Sequence, residues 1–511
     1  MPPSPSEAEF DVIVVGAGGS GLAAAIAAAD AGGHVLVLEK RPEPGGTTGI
    51  AVGSFTATGS RQQREKEVAD SVTDHVADAA RFPPPDIEAR NHAELRAWFL
   101  QETAETLSWL EKIGLTFTGP FPEPPNRAPR LHQVVPGAKA YITAMFLALR
   151  NLGGTILCNA TVEQLLRDGA GRVIGVEAFI DGQPRRFMAD RGVILATGDY
   201  TNNSALIAEH KGEGFRQVEG INPHSTGDGH RMAAEVGVQL LNMDVTYGPE
   251  LRFIADSHDP FKQWLPGEGG WISQLVGAVV PHLPSWVTHE VLRRMLVTWQ
   301  HPENALFSDG AILVNRDGAR FVNEKASPDR EIAIAEQDDK IAYLLLDARL
   351  IKRYSAWPHY VSTAPDIAYA YVQDYQRLRP DVTTTGVSLQ DLGDRRGIDT
   401  DRLEASVTAF NRYVAGQQAD PFRRTGDRHR LEGGPWVLLG PVKAFFTTTE
   451  GGAAINRQLQ CLDEQGEPIT GLYAVGQVGL GGMILWGHGL HIAWAMTSGR
   501  LAGELVMRNG G

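Results

Sequence analysis

The stretch near the N-terminus constrains this 511-residue chain more than any other part of it. Phe10 to Val15 (FDVIVV) is a short, nearly unbroken apolar run, the pattern of a parallel strand buried on both faces. It leads into Gly16-Ala17-Gly18-Gly19-Ser20-Gly21, then into the helix-favouring Leu22 to Ala31, and Gly32-Gly33 stops that helix. His34 to Leu38 supplies a second strand that ends at Glu39, with Lys40 next. Strand, glycine turn, helix, strand and acid in that order predict a βαβ unit that binds a dinucleotide. Gly16 makes the turn, Gly18 admits the pyrophosphate to the backbone, and Gly21 packs helix on strand. The helix N-terminus turns its unpaired N–H groups and positive dipole end toward the phosphates. Glu39 is sited to accept from the ribose hydroxyls and to disfavour a 2'-phosphate.

Composition narrows the rest. The chain is too long for one core and predicts roughly two or three domains. Hydrophobic residues at 42% and charged residues at 21% suit an ordinary soluble protein, and 57 glycines suit many tight turns and close backbone approaches. A net charge of -14 offers no basic field, so no nucleic-acid partner is expected. Cys158 and Cys461 are the only cysteines, which excludes a four-cysteine iron–sulfur site, a CxxCH haem attachment and a disulfide framework, and fits a reducing cytoplasm. Met1 to Glu9 reads as a loose tail rather than a signal peptide, and no stretch reaches the ~18 apolar residues of a membrane span. No HExxH, paired CxxC or EF-hand loop predicts a metal, and no GxSxG elbow predicts a hydrolase.

A second glycine and hydroxyl cluster follows Lys40: Gly45-Gly46-Thr47-Thr48-Gly49, then Gly53. Far downstream, Gly471 to Gly476 forms a short strand ending in glycine before Gln477, and a Gly-rich turn opens the predicted helix Ile492 to Met507. With Ala196-Thr197-Gly198, Ser225-Thr226-Gly227-Asp228-Gly229, Arg320-Phe321-Val322-Asn323-Glu324 and Thr449-Glu450-Gly451-Gly452, these pieces span most of the chain. In that order they resemble the FAD-dependent fumarate reductase and 3-ketosteroid dehydrogenase flavoprotein superfamily. The resemblance implies an α/β fold: a Rossmann-like FAD-binding domain from both chain ends (1–244 and 441–511) and an inserted α+β catalytic, capping domain (245–440). Trp264 to Trp299 would be a lid or substrate-domain surface, and Pro435 to Pro441 a return linker. The implied FAD contacts are Gly16, Gly18, Gly19, Ser20, Gly21, Glu39, Lys40, Gly46, Thr47, Thr48, Gly53, Val162, Thr197, Gly198, Asp228, Gly476, Gln477, His491 and Ile492. FAD is expected to be non-covalent, because Thr47 or Thr48 stands where related succinate dehydrogenases offer histidine.

A flavin moves hydride at N5, so the protein must add a proton donor or acceptor and a group that polarises a carbonyl. In the resembling fumarate reductases an arginine after Asn-Glu donates the proton and a C-terminal arginine grips the carboxylate. Here Pro328 and Trp486 align with them, and Thr447-Thr448 replaces paired histidines. Losing these cations removes the partners of a dicarboxylate and favours a neutral, ring-shaped substrate. Of the ketosteroid dehydrogenase set, Gly489 fits the glycine whose N–H polarises the ketone. Leu485 stands at its tyrosine, and the proton-abstracting tyrosine is absent.

The remaining candidates are Gly489 with the helix start for carbonyl and flavin O2 stabilisation, and His488 and His491 for proton transfer. Asp329 and Arg330 could meet the flavin edge, Tyr360, Tyr247 or Tyr354 could act as proton acceptor with a lowered pKa, and His132 is a further possibility. Each also has a plain structural reading: a helix-entry glycine, surface histidines, a solvated ion pair, packed tyrosines.

The expected activity is FAD-dependent addition or removal of hydrogen across a CH–CH bond beside a carbonyl, in a mostly neutral, cyclic or ketosteroid-like small molecule, with an unidentified electron donor or acceptor. The alternatives are a fumarate reductase-like reductase of an unsaturated carboxylate held by Arg330 or Arg252, and a flavin electron carrier or sensor without substrate chemistry.

Overall fold

The computed structural model describes residues 8–254, 294, 297, 301–364 and 368–509, so nearly all of the expected lid surface at 264–299 lies outside the described residues. The N-terminal unit forms as its sequence predicts. Strand Ala8–Val15, helix Gly19–Asp30 and strand Val35–Leu38 follow one another, and Glu39 stands at the strand end. Val12, Ile13, Val14, Val35, Leu36 and Val37 are fully buried, which accounts for apolar side chains on both faces. Parallel pairing continues through Thr155–Leu157 on one side and through Gln183–Leu195 and Pro468–Ala474 on the other. A strand from near the C-terminus therefore completes a sheet begun at the N-terminus.

The two chain ends also meet through helices. Helix Leu490–Asn509 lies on Gly19–Asp30, whose Ala23, Ala24, Ala27 and Ala28 are buried. A Cβ at Gly499 would sit 2.3 Å from the Ser20 carbonyl oxygen, and one at Gly503 would sit 2.2 Å from that of Ala24. Only glycine on one helix and small residues on the other permit so close an approach.

A second core gathers around the strand Trp436–Phe446, which pairs with Glu219–Gly220, Glu250–Phe253, Ala342–Leu346 and Thr383–Gly386. Tyr200, Ile207, Val218 and Met243, from before residue 245, join this core. The expected linker at Pro435 to Pro441 is thus corrected: residues 436–446 are the middle strand of a sheet. Pro441 is tolerated because the ladder is already irregular there. The register shifts between Ala342 and Leu344, and Gly440 turns aside to donate its N–H to Val382 O at 2.8 Å.

The Asn323-Glu324 motif is pinned by buried charges. Arg320 grips Glu324 and Asp420, while Arg424 reaches Glu324 at 2.8 Å and Asp427 at 2.8 Å. Two short ladders, Leu240–Leu241 with Gly452–Ala453 and Thr246–Tyr247 with Thr448–Thr449, carry the chain between the cores.

The helix contact generates a test. Gly503→Ala forces a Cβ into the Ala24 backbone and is expected to lower stability by about 1–3 kcal/mol, seen as a lower thermal midpoint and faster loss of bound flavin.

Candidate active site

The cofactor cradle is built where the first strand ends. Gly16 has φ +105°, and a Cβ on it would lie 2.5 Å from Ala196 O, so the turn can be made only by glycine. A Cβ at Gly21 would meet Gly16 O at 1.9 Å, which seats the helix directly on the turn. Gly18 and Gly46 face each other across a gap that a side chain would fill: a Cβ on Gly46 would come within 3.0 Å of Gly18 Cα. Gly19 and Ser20 open the helix, and its first turn carries no acid to compete with a phosphate. Glu39 is buried and oriented by the backbone N–H groups of Ala17 (2.8 Å) and Arg41 (2.9 Å). Its neighbour Lys40 bridges to Asp228 at 2.8 Å.

Other predicted contacts gather on the same side. The glycine and hydroxyl cluster at 46–50 forms a short helix in which Thr47 accepts from Asn222 at 3.0 Å and Thr48 is buried. Gly198, with φ +81°, has open space where a Cβ would be. Val162 is buried in a strand whose first residue, Ala160, donates to Glu39 O. Gly53 packs instead against Val134 and Ala138. Gln477 donates to Thr448 Oγ1 at 2.6 Å, and its own Oε1 is buried without a partner, as are Thr197 Oγ1 and Thr449 Oγ1. Unpaired buried acceptors and hydroxyls cost free energy that a bound polar group recovers. A glycine cradle at a helix start, an acid at the ribose position and orphaned polar atoms farther along fit FAD.

The turn 482–489, which leads into the last helix, is held from many directions. Ile484 N donates to Asn91 Oδ1 at 2.9 Å, Leu485 N to Glu450 Oε2 at 3.1 Å, and His488 N to Glu123 Oε1 at 2.7 Å. Thr56 donates to His488 O at 2.6 Å, and its N–H reaches Gly489 O. Gly489, at φ +82°, has no room for a Cβ because Thr56 Oγ1 would lie 2.7 Å away. His491 and Ile492 occupy the first helical turn, where backbone N–H groups lack intrahelical acceptors.

Both histidines carry carboxylate partners. His488, 59% exposed, pairs through Nδ1 with Glu123 at 2.7 Å, and that hydrogen bond raises its pKa above the ordinary value. His491 Nε2 meets the fully buried Glu450 at 2.8 Å. Neither carboxylate was picked out from the sequence. Glu450 stood inside a quoted motif and could have been found there, whereas Glu123 lies in a loop with no motif to mark it.

A cavity of about 270 Å³ opens between the cores, lined by Tyr247, Leu251, Arg330, Glu331, His301 and Trp486 among others. Tyr247 packs edge-on to Trp486, with ring centroids 5.3 Å apart. Arg330 is 5% exposed and binds Glu331 and, at 3.0 Å, Glu324 O, with its guanidinium over the Phe307 ring. The solvated Asp329–Arg330 pair weighed from the sequence is therefore corrected: Arg330 pairs with Glu331 instead, and that pair is buried.

Several candidates lie elsewhere. Asp329, the chain neighbour of Arg330, is exposed in a different recess with Asn323 and Phe422. Tyr360 stacks with Trp357 and Tyr369 and is not among the cavity-lining residues. Tyr354 donates its hydroxyl to Asp309 at 2.8 Å. His132 is buried between Ser60 and Arg130 O, and burial lowers its pKa to about 4. Among the described residues no cluster of His, Cys, Asp or Glu could hold a metal ion, and no helix is long and apolar enough to cross a membrane.

Comparison with known proteins agrees with this geometry. The profile of the family described as "FAD binding domain" matches residues 11–488. A fumarate reductase (cytochrome) of Shewanella frigidimarina is 27% identical over 490 residues, which is 93% of this chain and 73% of that protein. The open conformation of a flavocytochrome c3 fumarate reductase superposes with a TM-score of 0.72 at 25% identity, covering 99% of this chain and 79% of that one. A 3-ketosteroid-delta4-(5alpha)-dehydrogenase from Rhodococcus jostii RHA1 shares the fold, with a TM-score of 0.59 at 23% identity over 99% of this chain and 98% of that one.

The His488–Glu123 pair predicts a pH dependence. Because the folded-state pKa is raised, the stabilisation is complete below the ordinary histidine value of about 6.5 and is lost as pH rises through the raised value. Unfolding of the wild type and of His488→Asn, measured from pH 5 to 9, is expected to diverge at the acid end and converge at the alkaline end.

Proposed function

The chain belongs to the FAD binding domain family and is an FAD-dependent oxidoreductase, and from that premise we propose that it exchanges hydrogen across a carbon–carbon bond beside a carbonyl in a neutral, cyclic substrate. The observation that carries this reading is the charge balance of the cavity wall. Its arginine, Arg330, is already bound to Glu331 and a backbone carbonyl. Trp486 stands where the resemblance expects a carboxylate-gripping arginine. An unsaturated dicarboxylate entering here would leave water without a cationic partner in exchange, which is unfavourable. A ring gains apolar contact with Trp486, Tyr247 and Leu251.

When bound, FAD supplies the hydride chemistry. The chain's own residues do the rest. Gly18, Gly19, Ser20, Glu39 and Thr48 hold the nucleotide and pyrophosphate, without a covalent bond in this reading, because a threonine is no match for the histidine that forms one. Gly476, Gln477 and the helix start at His491 and Ile492 receive the ring. The Gly489 N–H and the positive end of the helix favour negative charge developing on a carbonyl oxygen. Glu450 orients His491, and Glu123 favours the protonated form of His488. A ligand-sized cavity at the flavin side speaks against a mere electron carrier.

The test is anaerobic. The purified, photoreduced holoenzyme is mixed with a panel of cyclic enones and unsaturated mono- and dicarboxylates, and flavin absorbance is followed. Reoxidation by the enones, at rates that fall when Trp486 is changed to Ala, is the expected result. Reoxidation by the acids alone overturns the reading in favour of a fumarate reductase-like activity.

A further inference from the structure

Reduction of a polarised double bond requires a proton at the carbon beside the carbonyl when hydride arrives at the other carbon. The arginine that donates it in the resembling reductases is replaced by Pro328, which leaves the acid of this site to be found. Most ionisable groups on the cavity wall are committed. Arg330 and Glu331 bind each other, and Glu250 binds Arg252 at 3.3 Å. Tyr247 differs. It lines the cavity, and its hydroxyl makes no hydrogen bond among the described residues.

The ring is nevertheless held in place. Tyr247 packs edge-on to Trp486, its carbonyl accepts from Thr447 N at 2.9 Å, and its strand pairs it directly with Thr448. Thr448 is the residue to which Gln477 of the C-terminal flavin closure donates. Tyr247 therefore stands one strand away from a cofactor-side residue, with its ring in the cavity.

We propose that Tyr247 is the catalytic acid of this site, its hydroxyl delivering the proton to the carbon beside the substrate carbonyl. The assignment rests on the neutral-substrate reading above. When bound, reduced FAD would supply the hydride for the new C–H bond at the far carbon, and the π electron pair would shift toward the carbonyl. The near carbon takes the Tyr247 proton as the O–H bond breaks, and the phenolate left behind recovers a proton from water. The alkene gains two electrons and the flavin loses two. Burial, with Glu250 close by, pushes the Tyr247 pKa up to about 12, so the hydroxyl is protonated at neutral pH, and transfer to the more basic enolate carbon runs downhill. The sequence suggested a tyrosine as proton acceptor; these surroundings make Tyr247 a donor and favour the reductive direction.

Two measurements on the holoenzyme and its Tyr247→Phe variant test this. The first is single-turnover reoxidation of the photoreduced flavin by cyclohex-2-enone. The second needs no turnover: the oxidised protein is titrated with 4-nitrophenolate, a stable enolate-like anion, and binding is read from the ligand's own absorbance. The expected result is a fall in reoxidation rate of roughly 10²–10⁴-fold and a loss of 4-nitrophenolate affinity of about tenfold or more, with flavin content and spectrum unchanged. Both quantities staying within about threefold of the wild type overturns the assignment, as does a rate loss confined to His301→Gln. If the wild type is reoxidised only by unsaturated acids, the neutral-substrate reading fails, and the 4-nitrophenolate titration alone decides for or against Tyr247.

Discussion

The flavin half of the molecule depends on one contact, the close packing of the last helix on the first. Gly499 and Gly503 bring the backbone of Leu490–Asn509 onto Ser20 and Ala24, and the buried alanines of Gly19–Asp30 leave it room. The same helix organises the cofactor region on its other face. Trp494 donates to Gly476 O at 3.0 Å, and Ser498 accepts from Gly476 N at 2.9 Å, so the turn that follows the last parallel strand is positioned by helix side chains. The two helix N-termini are thereby brought into one assembly. Small residues are required because any larger side chain would separate the two backbones and the turns they carry.

Around the cavity the governing constraint is electrostatic. Ions removed from water must be paired, and the chain pairs them thoroughly: Arg320 and Arg424 with Glu324, Asp420 and Asp427, and Arg330 with Glu331. These pairs secure the loop between the Asn-Glu motif and the following helix. They also leave its arginine closed to a second carboxylate. Among the described residues lining the cavity, Arg330 is thus met by Glu331, while Trp486 and Tyr247 supply aromatic surface.

The motifs legible in the sequence were those in which one stretch of chain does the whole job. The run from Phe10 to Glu39 states its strand, turn and helix in adjacent residues, and the structure shifts its boundaries only slightly, to Ala8–Val15 and Gly19–Asp30. The region around Pro441 misled because a proline ordinarily interrupts a ladder. The bulge that accommodates it is on its own strand, where Gly440 and Pro441 together face Tyr343, but it exists only through pairing with Ala342–Leu346, far away in sequence. Glu123 and Glu450 were hidden for a related reason: a carboxylate's task is set by the histidine it meets across the fold, and nothing beside it in the chain announces that meeting.

What the sequence by itself determined is the dinucleotide-binding unit, the closure of the flavin domain from both ends and the loss of the expected arginines, all of which follow from local backbone sterics or from residue identity. The tertiary structure alone decided which side chains share the cavity. It separated Arg330 from its neighbour Asp329, set Tyr354 against Asp309 and Tyr360 against Trp357 and Tyr369, and left Tyr247 against Trp486. Adjacent residues on a helix point in different directions, and strands pair residues hundreds of positions apart, so proximity at a site is a property of the packed fold and not of chain order.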